Sequence, residues 1–170
     1  MHTLTSKYTA VHRCLVSLVT VRVDADALRM EPKNSPDPMP SWIPATGHAL
    51  RHAGIHFDAV RVIGVLGEQV AYEVMQFTDF AAGPVVRSHI GERSMYFLLP
   101  PGSARAYRWP VGAEALVREG GAFVGVPALR GLTYPLDWRS LPTAQVPFVD
   151  AELLFELLCE VVDVQKPAVR

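Results

Sequence analysis

Two stretches of this chain share one grammar, and it restricts the fold more than any other feature. "GERSMYFLLPPGS" (residues 91–103) and "EGGAFVGVPAL" (119–129) each run from a glycine turn through a short strand to a proline stop. Proline removes a backbone donor and cannot continue a ladder, so such runs predict short strands with defined ends, the stronger from Ser94 to Leu99. "IHFDAVRVIG" (55–64) and "VVRSHI" (85–90) add β-branched and aromatic runs that suit strands. "LTYPLDWRSLPTAQVP" (132–147) reads as irregular chain with an edge strand.

Helical periodicity enters at two or three places. In "LGEQVAYEVMQF" (66–77), Val70, Val74 and Phe77 fall on one face, with Glu68 and Glu73 elsewhere. Asp150 caps the clearest helix, where Leu153, Leu154, Leu157, Leu158, Val161 and Val162 form an apolar stripe and Glu152, Glu156 and Glu160 another face. Thr46 predicts a short capped helix to about Arg51, with Gly54 as its stop. These elements predict a single α+β domain: a small mixed or antiparallel sheet packed with helices, over residues 45–166. The expected core is Phe57, Val60, Val62, Val70, Val74, Tyr96, Leu98, Phe123, Val124, Leu154, Leu157, Leu158 and Val161.

Ahead of the domain, "MEPKNSPDPMPSWIP" carries prolines at 32, 36, 38, 40 and 44. Residues 30–44 therefore predict an extended arm, its end anchored by Trp42 and Ile43. Residues 1–29 read as an N-terminal extension. "CLVSLVTV" (14–21) is a poor signal peptide and too short to span a bilayer. Cys14 and Cys159 are far apart and read as reduced thiols, so the expected setting is cytoplasmic, with no membrane partner.

Composition narrows function mostly by exclusion. Of 170 residues 49% are hydrophobic and 19% charged, at a net charge of −1, which describes an ordered globule without a global basic field for nucleic acid. His48 and His52 would share a helical face, but no acid stands between them and His56 lies beyond Gly54, so no metal is expected there. His52 near a helix C-terminus has a structural role instead. Ser88 and His89 are adjacent without any nucleophile-elbow motif, Glu68 and Glu73 point to solvent, and no phosphate-binding glycine motif follows a strand. No catalytic residue and no cofactor is expected.

The series "FDAVRV", "GERSMYFLLPPGS" and "REGGAFVGVPAL" resembles the N-terminal domain of bifunctional primase-polymerases, in the archaeo-eukaryotic primase superfamily, over about residues 45–130. That resemblance implies a strand ending in paired metal-binding carboxylates, a glycine-arginine-histidine turn into an aromatic strand, and a third acid nearby. This chain departs at each point. The strand offers Asp58 but then Val60, Arg61 and Val62; the turn's histidine position falls on Ser94; Glu114 is the nearest third acid, and only across a gap. Two-metal nucleotidyl transfer needs clustered carboxylates to hold both cations. The implied reading is a catalytically silent primase-polymerase-like domain with a regulatory or accessory binding role.

Its candidate cleft is Asp58, Arg61, Arg93, Ser94 and Tyr96. Arg87, Arg105, Arg108, Arg118 and Arg130 are further arginines able to converge on phosphate, and Tyr107 and Trp109 further aromatics able to stack bases. Nucleotide or nucleic acid is thus one expected partner class. A protein partner or self-association, through the proline arm and the C-terminal helix, is the alternative. A small-molecule enzyme using Asp58, Ser94 and an arginine is the third reading.

Overall fold

The computed structural model describes residues 40–165. The N-terminal extension, most of the proline arm and Cys14 lie outside the described residues. Within them the chain runs β1 (His48–His52), β2 (Asp58–Ile63), α1 (Gly64–Phe77), β3 (Val85–Ser88), β4 (Ser94–Leu99), β5 (Ala113–Leu116), β6 (Phe123–Pro127), β7 (Leu136–Ser140) and α2 (Ala151–Gln165). Five strands form one antiparallel sheet in the order β5-β2-β4-β3-β7, while β1 and β6 pair in a separate two-stranded ribbon. This is the α+β domain expected from the sequence.

Alternation along the strands explains the layering, because successive side chains leave a strand on opposite faces. Val60, Val62, Val85, Met95, Phe97 and Leu99 face α1 and α2 and close a core with Val70, Val74, Leu154 and Leu158. Ala59, Val86, Leu98 and Leu136 face the other way and pack beneath the ribbon with Phe57, Val124 and Val126. The β4 run SMYFLL is apolar almost throughout because both of its faces are covered. The stripe of α2 works as expected: Leu154, Leu158 and Val161 are buried, and the Asp150 carboxylate accepts the Leu153 N–H at 2.9 Å. Trp42, at the end of the arm, is 5% exposed and meets Phe57 edge-on at 5.2 Å.

Three expectations are corrected. Residues 46–51 are not a helix: Gly47 takes φ +62° and the chain then enters β1, where His48–His52 pair antiparallel with Pro127–Phe123. The ladder to a distant strand outweighs a local capping signal, and Gly54, at φ +78°, sits in the β1–β2 turn with its N–H on the Phe57 carbonyl at 2.7 Å. Phe123 is not core; it is 59% exposed and leans edge-on against His52. Tyr96 and Leu157 are only half-buried. The strand β5 had no counterpart in the sequence reading, since Ala, Glu and Leu in "AEAL" favour helix over strand.

Candidate functional site

The chain turns from β2 into α1 without a linker. Gly64 adopts φ +68° and donates its N–H to the Arg93 carbonyl at 2.6 Å, which ties the start of the helix to the β3–β4 turn. No side chain caps this end and no acid lies in its first turn. The first-turn amides of a helix carry partial positive charge and attract anions. Tied to this helix start through the Arg93 carbonyl is a set of charged groups on the helix-facing side of the sheet.

Arg87 on β3 stands opposite Asp137 on β7 and grips it with two hydrogen bonds, Nε to Oδ1 at 3.0 Å and Nη2 to Oδ2 at 2.8 Å. His89 donates from Nε2 to the same Oδ2 at 2.9 Å and stacks on Tyr134, with ring centres 6.3 Å apart. Partial burial alone would raise the Asp137 pKa, but the hydrogen bonds and charges of Arg87 and His89 overcome it and hold the carboxyl below its usual range. The Arg87 pKa moves up, mainly through its hydrogen bond to Asp137.

Glu68, one turn into α1, faces three guanidinium groups at once: Arg87 at 3.8 Å, Arg93 at 4.0 Å and Arg139 at 4.0 Å. None of these ion pairs is at hydrogen-bond distance, and the Glu68 Oε1 atom is shielded from solvent without a hydrogen-bond partner. Three cations against the carboxylates of Glu68 and Asp137 leave one positive charge in excess. Asp137 satisfies Arg87, so the excess falls on Arg93 and Arg139.

The five sequence-derived candidates separate. Arg61, Ser94 and Tyr96 share the opposite face of the sheet at this same end: Arg61 is opposite Tyr96, and Ser94 opposite Ile63. Arg61 reaches its other neighbour, Glu114, at 3.5 Å. The Ser94 hydroxyl, buried, donates to the Glu92 carbonyl at 3.3 Å. Arg93 lies at this end but turns to Glu68 on the helix side. Asp58 is at the far end of β2, 1% exposed, where its Oδ2 accepts the Ala104 N–H at 3.0 Å. One cleft does not contain all five.

Among the other expected arginines, Arg87 joins Arg93, whereas Arg105 pairs with Glu119 and Arg108, Arg118 and Arg130 are exposed elsewhere. Tyr107 and Trp109 pack on Phe155 of α2. Ser88 and His89 do not meet: the Ser88 hydroxyl accepts the Ile90 N–H at 3.3 Å while His89 turns to Asp137. His48 and His52 stand on strand β1 rather than on a helix, and His52 Nδ1 lies 2.7 Å from the Ala53 carbonyl. Among the described residues no group of three His, Cys, Asp or Glu is placed to hold a metal ion, and no helix is long and apolar enough to cross a membrane.

Sequence reasoning assigned Glu68 to solvent and passed over Asp137 and Arg139. The β3–β7 register that joins them is set by distant segments, and the only local signal was the polar alternation of "LDWRS". No family model matches the chain, and neither a curated protein nor a solved structure matches it.

Proposed function

We propose that this chain is an accessory binding domain for phosphate-bearing ligands, nucleotide or nucleic acid, on a primase-polymerase-like scaffold without the nucleotidyl-transfer chemistry. The observation that carries it is the convergence of Arg87, Arg93 and Arg139 on Glu68 beside an uncapped helix start. Arginine's planar fork donates bidentate hydrogen bonds to phosphate, and a helix N-terminus adds a compatible field. Glu68 is held only by ion pairs of 3.8–4.0 Å. A phosphate at hydrogen-bond distance from Arg93 and Arg139 replaces loose contacts with short ones, and no side-chain hydrogen bond to Glu68 need break.

The register of β2 with β4 supports the silent part of this reading. The end of β2, where the resemblance implies paired carboxylates, holds Val60, Arg61 and Val62, and it pairs with the start of β4, which opens on Ser94 at the implied histidine position. With Glu114 already paired to Arg61, that face offers no carboxylate cluster for two cations. A cytoplasmic setting belongs to the same reading and rests on the cysteine usage.

The test is fluorescence anisotropy of short labelled single-stranded and duplex DNA and RNA, at low and physiological salt. Two phosphate contacts give a log–log salt slope of about −1.4 on single strands. Arg93→Ala and Arg139→Ala are expected to weaken binding, and Arg105→Ala to leave it unchanged. Absence of binding at low salt, or equal binding by the doubly substituted chain, overturns the proposal.

A further inference from the structure

The opposite end of α1 carries a second surface of different chemistry. The helix ends at Thr78, whose hydroxyl donates to the Val74 carbonyl at 2.7 Å, and the Phe80 N–H then reaches back to the Met75 carbonyl at 2.7 Å. This closure places Asp79 at φ 49° and Phe80 at φ 64°. A bulky side chain in the left-handed region is uncommon. Phe77 and Phe80 emerge 72% and 62% exposed. Beside Phe77 two adjoining cavities of about 410 and 310 Å³ share Thr78, Asp150 and Leu153; Phe77, Glu152 and Glu156 complete the walls of the first, and Val146 and Pro147 line the second.

Charge around this groove is one-sided. Neither α1 nor α2 contains a lysine or arginine. Among the described residues Asp79, Asp150, Glu152 and Glu156 form no ion pair with a basic side chain. The carboxylates of Asp150, Glu152 and Glu156 line the groove with Phe77 and Leu153, and Asp79 and the exposed Phe80 follow the helix end in the chain. Such a surface complements alternating cationic and apolar side chains: apolar groups fill the groove, guanidinium or ammonium groups meet the rim, and a cation can also lie over a phenyl face.

We propose that the groove between the end of α1 and the start of α2 docks a cationic amphipathic segment of a partner protein. This surface is independent of the arginine cluster at the other end of α1 and goes beyond the phosphate-binding reading.

The experiment is a ¹H–¹⁵N NMR titration of the full chain with two synthetic peptides of equal length and apolar content, one arginine/leucine and one glutamate/leucine. The arginine peptide is expected to shift amides of residues 77–80 and 150–156, and the glutamate peptide to shift none of them. Phe77→Ala with Phe80→Asn should weaken the arginine peptide at least tenfold; asparagine tolerates the left-handed backbone and the replaced rings are exposed, so the fold is preserved. Glu152→Gln with Glu156→Gln should weaken it severalfold and flatten its salt dependence. No shift, shifts spread evenly over Glu160 and Asp163, or unchanged affinity after loss of both rings would each overturn the proposal. So would a dimer in sedimentation that disappears with the phenylalanines, since a second copy would then be the occupant.

Discussion

Asp58 is the residue on which the resemblance and the structure make opposing predictions. As the surviving acid of a metal site it would be dispensable for folding. As placed here, it is 1% exposed and its Oδ2 accepts the N–H of Ala104, a residue with no exposed surface, at 3.0 Å. That bond fixes the short 3-10 turn Ala104–Ala106, whose Ala104 carbonyl in turn accepts the Trp109 indole N–H at 2.7 Å. Losing a hydrogen bond to a charged acceptor, with the N–H left buried, costs about 3 kcal/mol. Asp58→Asn keeps an oxygen within reach and should lose about 1 kcal/mol. For a domain of this size each kcal/mol is about 4 °C in Tm, so melts should fall by ~12 °C for Asp58→Ala and ~4 °C for Asp58→Asn. Calorimetry or circular dichroism of the three chains measures this, with urea titration checking that the m-value is unchanged. An Asp58→Ala chain melting within about 2 °C of the parent would refute the assignment. So would an Asp58→Asn chain of unchanged stability that had lost ligand binding.

Two further outcomes follow from close contacts and from charge. Gly67→Ala would normally stabilise a helix by about 1 kcal/mol, but a Cβ there lies 2.5 Å from the Val62 carbonyl oxygen and 3.2 Å from Met95 Cγ, so a loss of about 2 kcal/mol is expected in urea titration. Because the Asp137 pKa is lowered in the fold, its contribution is complete above the unfolded carboxyl value near ~3.9 and is lost as pH falls through the lower folded value. Stability between pH 5 and pH 2 should therefore fall less steeply in Asp137→Asn than in the parent chain. Arg87 stays charged throughout that window, so its raised pKa adds no slope of its own.

Elements with an internal signature were legible in the sequence. The β4 run, the α2 stripe and the α1 period each state their own structure, because burial of one or both faces fixes the residue types. β1 and β5 have no such signature: "HALRH" and "AEAL" become strands because Phe123–Pro127 and Asp58–Ile63 lie alongside them. The arginine cluster was hidden for the same reason. Arg87 and Asp137 are paired by strand register, and Glu68 enters only because Gly67 lets α1 sit close on the sheet. Arg61, Ser94 and Tyr96 could be grouped in advance because β2 and β4 are readable strands; Asp58 could not be placed, since the acceptor role it plays depends on the turn at Ala104.

The ribbon of β1 and β6 joins residue 52 to residue 123, whereas β3 and β4 are joined by residues 89–93 alone. Closing the longer loop costs more chain entropy before any contact repays it. The β3–β4 hairpin with α1 is therefore expected to form ahead of the ribbon, an order that φ-values higher in Val85–Leu99 than in the β1–β6 pairs would register. By the same token the ribbon's amides are expected to exchange ahead of those of the five-stranded sheet in native-state hydrogen exchange, as it lifts from Phe57 and Leu98.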